Sequence, residues 1–277
     1  MAPEDTVFPI SAPCHVSRAI WDKSSDRPAT ITEEILHLAE EVPLALVYNG
    51  TEYAVMMVTP CNMTDFVTGF SMTEGLVEGC SDIRQISITP VDGGLKADIR
   101  VNADAFRNVL ARNRRPIAGR TGCGICGSDM KSIVNRPPNT VLPFTPELPA
   151  IRSALTSLRD HQVLNVGIGM LHAAAWCSPN GCILAIREDV GRHNALDKLI
   201  GHGLEKQVDF TDGFCLLTSR CSYEMAAKAI AAGMRALVSL SAPTALALRT
   251  AQQAGLTLVS PAKPENICIL PQNCETS

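Results

Sequence analysis

No stretch of the 277 residues approaches the ~18 consecutive apolar positions that a membrane-spanning helix requires. The first twenty residues, MAPEDTVFPISAPCHVSRAI, lack an apolar core and carry early acids and interior prolines, so they do not resemble a secretion signal. A cytoplasmic protein without a membrane partner is expected. Basic charge is also in short supply: the formal net charge is -4, which removes any global attraction for nucleic acid or anionic lipid. No nucleic-acid partner is expected, and a polyanion must be met by a local basic cluster. Internal repeats and low-complexity segments are absent. What the chain does have is an ordinary globular balance, 46% hydrophobic and 19% charged, which excludes disorder over most of its length. In a reducing compartment its 11 cysteines are expected to be free thiols, most of them small core hydrophobes.

Residues 1–30 mix proline, serine and charge without periodicity and are expected to form a flexible leader. Two apolar runs, 44–48 and 53–58, flank Asn49-Gly50, a strong hairpin signal. Asn62 and Thr64 are placed to cap a helix carrying Met63, Phe66, Val67 and Phe70 at helical spacing. A second hairpin turns at Asp92-Gly93-Gly94, with Leu95, Ala97, Ile99 and Val101 alternating in its return strand, and a short helix covers 104–112. Residues 31–118 thus read as ββαββα, a small α+β roll. Residues 119–149 combine a glycine-rich loop with the proline-rich linker RPPNTVLPFTPELP at 136–149.

The second domain, 150–277, opens with Leu148, Ile151, Leu155 and Leu158 at helical spacing. A strand over 163–176, a turn at Pro179-Asn180-Gly181 and a strand over 182–187 follow. Helices at 191–203, 222–232 and 244–253 then alternate with strands at 214–218, 236–240 and 256–259. The predicted fold class is α/β: an α+β N-terminal roll joined to an α/β C-terminal domain with a mixed sheet.

The chemistry concentrates at Cys123-Gly124-Ile125-Cys126. A C-x-x-C pair serves zinc ligation, dithiol redox or sulfur transfer, and alone selects none of them. Zinc normally asks for a second pair, and Cys177/Cys182 has a longer spacing around a hairpin tip. A thioredoxin-like site wants its first cysteine at a helix start, whereas glycine occupies 122, 124 and 127. Persulfide transfer suits a glycine-rich loop, because one sulfur must reach a donor and then an acceptor. Arg120 and the loop amides are placed to lower the Cys123 thiol from its ordinary ~8.5, while Cys126 follows the apolar Ile125 and reads as a relay or resolving thiol. Further on, Gly191, Arg192 and His193 offer a helix start to a phosphate group, although Asp189 and Asp197 equally serve to cap that helix or pair its cations.

The segments EVPLALVYNG (41–50), GRTGCGICG (119–127), HAAAW (172–176), EDVGRHNALDKL (188–199) and SYEM (222–225) resemble the FdhD/NarQ family of formate dehydrogenase accessory sulfurtransferases. The resemblance runs from about residue 40 to 260. It implies a cytoplasmic, homodimeric sulfurtransferase-type carrier that accepts persulfide sulfur from a cysteine desulfurase on Cys123, assisted by Cys126. It further implies delivery to the molybdenum bis(molybdopterin guanine dinucleotide) cofactor destined for formate dehydrogenase, with GDP as a partial mimic. The family's cofactor-binding stretch falls on Pro261, Ala262, Lys263, Pro264, Glu265 and Asn266, to which Gly191, Arg192 and His193 are added. The usual glycine and arginine are missing there, and Lys263 is its one cation.

The family's second domain is similar to cytidine deaminases, which raises a zinc-dependent deaminase as a rival. Such enzymes need His-x-Glu at one helix start and Pro-Cys-x-x-Cys at the next. Here the acid/base glutamate is Ala195, leaving His193 and Cys221 as ligands with Glu224 a possible third. Neither zinc nor deamination is expected. A cofactor-binding chaperone without sulfur chemistry is the remaining alternative.

Overall fold

The computed structural model describes residues 8–21, 28–113 and 139–272. Strands β1 (Ser11–Trp21) and β2 (Pro28–Ala39) pair only with each other, as an antiparallel arm. The leader expected to be flexible is therefore a strand over 11–21. Alternation is confined to Ala12–Ser17 of β1, too short a run to signal a half-buried strand, and polar side chains stand on both faces beyond it. Cross-strand links stand in its place: Ser17 donates to Glu33 and Arg18 to Glu34, each at 2.6 Å.

A four-stranded sheet follows, in the order β4 (Thr51–Val58), β3 (Val42–Tyr48), β6 (Gly94–Val101), β5 (Ile83–Val91). Asn49 and Gly50 turn β3 into β4 with φ of 47° and 83°, the left-handed pair that a two-residue hairpin needs. The Asn49 side chain also exchanges hydrogen bonds with the backbone of Val101 at 2.9 and 3.1 Å, tying the turn to β6. Helices α1 (Met63–Thr73) and α2 (Ala103–Asn113) supply Met63, Phe66, Phe70 and Val109 to a core with Leu44, Leu46 and Ile99. Asn62 precedes α1 in a left-handed conformation, φ 51°, and makes no side-chain cap, contrary to expectation.

The larger sheet runs β12 (Asn266–Ile269), β11 (Thr257–Lys263), β10 (Ala236–Ser241), β9 (Phe214–Arg220), β7 (His172–Cys177), β8 (Ile183–Asp189). It is mixed, with β8, β9, β10 and β11 pointing one way and β7 and β12 the other. Side chains alternate between two cores. Trp176, Cys215, Leu217, Leu237 and Leu258 face helices α4 (Arg192–Glu205), α5 (Tyr223–Ala231) and α6 (Ala245–Ala254). Cys177, Phe214, Leu216, Val238 and Val259 face α3 (Leu148–His161). The described end of the proline-rich segment lies against this body, where Arg235 donates to the carbonyls of Leu142 and Pro143 at 2.7 and 2.8 Å.

One predicted strand is shortened. Residues 163–168 form turns rather than the start of β7, and Gly167 and Gly169 adopt φ of 84° and 73°. The carboxylate of Glu188 accepts from the amides of Leu164 and Asn165 at 2.8 and 3.1 Å, replacing the ladder partners those amides would otherwise need. Strand β12 was not anticipated, because four residues beyond a proline turn are too short for a periodic signal.

Helix α1 is buried on two sides, against its own sheet and against α4. Glycines face each other where α1 and α4 cross. A Cβ at Gly69 would lie 1.8 Å from the Asp197 carbonyl oxygen, and one at Gly201 would lie 1.9 Å from that of Asp65. Polar bonds surround this crossing. Arg187 pairs with Asp65 at 2.6 Å, Lys198 with Asp189 at 2.7 Å, and Lys228 with Asp197 at 2.9 Å. Asp197 also accepts from Thr73 of α1 at 2.8 Å. We predict that Gly69→Ala or Gly201→Ala, each forcing a methyl into backbone, destabilises by about 3 kcal/mol or more. Thermal unfolding checks this; a midpoint within a degree of wild type for both variants would show that the crossing is not tightly packed.

Candidate functional site

The strand directions put the starts of α4, α5 and α6, and the end of β11, at one end of the larger sheet. In α/β sheets this is where ligands bind, outside the carboxyl ends of the strands. The α4 start is held by a single carboxylate. Asp189 Oδ1 accepts from the Gly191 amide at 2.8 Å and from Asn194 Nδ2 at 2.9 Å; Oδ2 accepts from the Thr59 amide at 3.0 Å and faces Lys198. A Cβ on Gly191 would approach Asn194 Nδ2 to 2.7 Å, so a larger residue there would displace the Asn194 side chain from its bonds. Asn194 in turn donates to the Met57 carbonyl of β4 at 2.8 Å, joining the site to the smaller sheet.

On this scaffold Arg192, His193, Ser222 and Glu224 stand at the starts of two helices. Three of their polar atoms, Arg192 Nε, His193 Nε2 and Ser222 Oγ, are buried without a hydrogen-bond partner. His193 Nε2 faces Glu224 Oε2 at 3.9 Å, an ion-pair separation too long for a hydrogen bond. The facing imidazole holds the Glu224 carboxyl well below the usual carboxylate range, at about 2, against the opposing effect of burial. His172 of β7 lies in the same field, and burial, then the charge of Arg192, lowers its pKa. Glu224 is thus an acceptor-only group with the side chains of His193 and Ser222 directed at it.

The predicted site residues occupy separate places. Gly191, Arg192 and His193 lie beyond β8, at one flank of the sheet. Lys263 and Asn266 pair across the Pro264-Glu265 turn of the β11–β12 hairpin at the other. Four strand spacings separate β8 from β11, on the order of 19 Å. Pro264, Glu265 and Asn266 line a groove of about 860 Å³ with Arg152, Thr156 and Asp160 of α3. That volume suits a small-molecule site. Pro261 is exposed, whereas the Ala262 side chain is buried in the core beneath α3 and is turned away from any ligand. Cys123, Cys126 and Arg120 lie outside the described residues.

The described cysteines divide by burial. Cys61, Cys177, Cys215 and Cys221 are buried, and burial raises all four thiols, those of Cys177 and Cys221 to about 12. At neutral pH such thiols hold almost no thiolate and are poor sulfur acceptors. Cys221, the deaminase-type ligand candidate, directs its Sγ to the Ser222 carbonyl at 3.8 Å. Among the described residues no group of three or more His, Cys, Asp or Glu side chains is arranged to hold a metal ion. Nor is any described helix long and apolar enough to cross a membrane. From the sequence Glu224 reads only as a third ligand candidate beside His193 and Cys221. Its pairing with His193 was signalled by the two motifs standing at successive helix starts, and Thr59 and Lys198 carried no such signal.

Fold and site together define a mixed α/β protein with a polar cluster at the carboxyl end of its larger sheet. The same fold appears in the crystal structure of a protein assigned as a formate dehydrogenase accessory protein from Desulfotalea psychrophila, with a TM-score of 0.73, 22% identity, and 97% of this chain and 99% of that one covered. At that identity the likeness concerns the fold alone. The sequence goes further: residues 39–273 match the FdhD/NarQ family, and the chain belongs to it. A relative from Xanthomonas euvesicatoria pv. vesicatoria, named sulfur carrier protein FdhD, is 39% identical over 259 residues, 93% of this chain and 90% of its own. One of the same name from Cupriavidus necator is 45% identical over 222 residues, 80% and 77% of the two chains.

The low pKa of Glu224 has a consequence for stability. A carboxyl whose folded pKa is depressed stabilises the fold above its ordinary 4.5, and that contribution is lost as pH falls through about 2. Replacing it by Glu224→Gln should therefore flatten the decline of the unfolding temperature between those pH values, the two proteins converging at the acid end. Parallel profiles would show that the His193–Glu224 contact is not formed.

Proposed function

We propose that this chain is a cytoplasmic sulfur carrier that accepts sulfur on Cys123 and passes it to a molybdenum bis(molybdopterin guanine dinucleotide) substrate destined for formate dehydrogenase. Its membership of a family whose relatives are named sulfur carriers, together with its Cys123/Cys126 pair, carries this reading. In the first step the Cys123 thiolate attacks the terminal sulfur of a cysteine desulfurase persulfide, forming a Cys123 persulfide and releasing the donor thiolate. No net oxidation occurs. Cys126 serves as relay, and as a competitor that would release sulfide and leave a disulfide if the acceptor were slow. Burial raises the thiols of Cys61, Cys177, Cys215 and Cys221 and leaves those four unsuited to carry the sulfur.

The acceptor is held at the end of the larger sheet, with GDP as a partial mimic. The flanks that carry His193 and Asn266 are too far apart for one compact nucleotide, whereas a substrate with two nucleotide ends has one for each. The working unit is a homodimer, with no zinc and no nucleic acid. Intact-mass analysis after incubation with a cysteine desulfurase and free cysteine tests the sulfur step. Wild type and Cys126→Ser should gain one sulfur atom per chain, and Cys123→Ser none. Loading of Cys123→Ser but not Cys126→Ser would reverse the assignment; no loading of wild type would leave a chaperone without sulfur chemistry.

A further inference from the structure

Strands β1 and β2 pair only with each other, and a two-stranded ribbon with no third strand and no layer against it is at best marginally stable in water. Residues opposite each other share a face. One face carries Ala12, Cys14, Val16 and Leu36, all half-buried. The other carries Trp21, Ile31 and Ile35, which are 58%, 63% and 55% exposed, together with Ala19 and Glu33. The ribbon's edge is blunted against strand addition. The Ala39 amide turns outward to Met170 Sδ at 3.5 Å, so by alternation Pro13, two pairs further along, also faces out and offers no N–H to a new strand. What remains to be covered is the apolar face.

A second open face lies on the smaller sheet. Leu44, Leu46, Leu95, Ala97 and Ile99 point into the core, so Pro43, Ala45, Val55 and Met57 point outward, beside Lys96, Asp98 and Arg100. The chain's own arm does not cover them, since Val55 and Met57 are 58% and 45% exposed. Lys96 pairs with Asp98 at 2.8 Å, and Arg100 leaves this face with a positive charge to set against Glu33. Specifying the homodimer of the reading above, on which it rests, we propose that two copies of this chain exchange arms: the Trp21, Ile31 and Ile35 face of each lies on the Ala45, Val55 and Met57 face of the other, with Glu33 toward Lys96 and Arg100. A second copy is the fitting occupant, because a ribbon that is unstable alone needs its cover whenever the chain is folded, and only another copy is present in that proportion. An arm of 11 residues is roughly 35 Å long and about 10 Å wide. Two arms and the two sheet faces beneath them bury on the order of 1,400 Å², the size of a standard stable interface, and a two-fold exchange closes without further growth.

Sedimentation velocity of the full chain tests the exchange, with thermal unfolding to show that each variant is folded. Wild type should sediment as a dimer at micromolar concentration. Ile31→Glu combined with Ile35→Glu on the arm, and Val55→Glu on the sheet, should each raise the dimer dissociation constant by roughly a hundredfold or more. Mixing the arm variant with the sheet variant should restore part of the dimer, because one intact arm then meets one intact sheet face. A misfolded chain gives no such rescue. A dimer untouched by either variant, a dimer lost in the arm variant but kept by Val55→Glu, or two monomeric variants that fail to rescue each other would overturn the exchange and leave the homodimer standing. A monomeric wild type would overturn both. Sulfur loading, measured separately, keeps the carrier reading apart from either result.

Discussion

Everything in this fold is referred to the crossing of α1 and α4, where two glycines let backbones meet at a distance no side chain permits. The approach brings charged side chains of both units out of water. Lys198 is 0% exposed, paired with Asp189 and donating to the Thr59 carbonyl at 3.0 Å. Burying an ion pair contributes little net stability, but once buried each partner depends on the other, and losing one costs about 3–5 kcal/mol. The crossing is thus both close and registered. A slip of α1 along α4 would separate Asp65 from Arg187, Thr73 from Asp197 and Thr59 from Asp189 together.

That registration reaches the candidate site through one residue. Asp189 uses one oxygen for the buried contact with Lys198 and Thr59, and the other for Gly191 and Asn194 at the head of α4. The turn that presents Arg192 and His193 is therefore fixed by the same carboxylate that locks the two units. Glu224 arrives from the neighbouring helix and faces His193 across a polar, largely buried contact, beside which Arg192 Nε has no partner. Rigid support beneath an unpaired polar group is the arrangement expected of a binding site rather than of a stability device.

Much of this was legible in the sequence, and the physical reasons differ. Asn49-Gly50 announced its hairpin because only such residues accept the left-handed turn. The second half was readable because short apolar runs alternate with helical spacing, and the same alternation divides Cys215 and Leu217 from Phe214 and Leu216 between two cores. The arm was not readable, since β1 and β2 bury no continuous apolar face. Residues 163–168 looked like a strand because Val163, Leu164 and Val166 are apolar, but two of these are exposed and the backbone is held by Glu188. Nothing local marks Lys198 as buried or Gly69 as the partner of Gly201. Those facts arise from a crossing between elements far apart in the chain, whereas the facing of His193 and Glu224 follows from two motifs at successive helix starts.

The account joins a sulfur-bearing thiol and a substrate cleft on one chain, and its central claim is that sulfur passes between them. Loading the protein with ³⁵S through a cysteine desulfurase, removing the donor, and adding the molybdenum bis(molybdopterin guanine dinucleotide) substrate allows a single turnover to be followed. The account predicts that label leaves the protein and appears on the substrate. Label that stays on the protein, or emerges only as free sulfide while the substrate remains unlabelled, would contradict it.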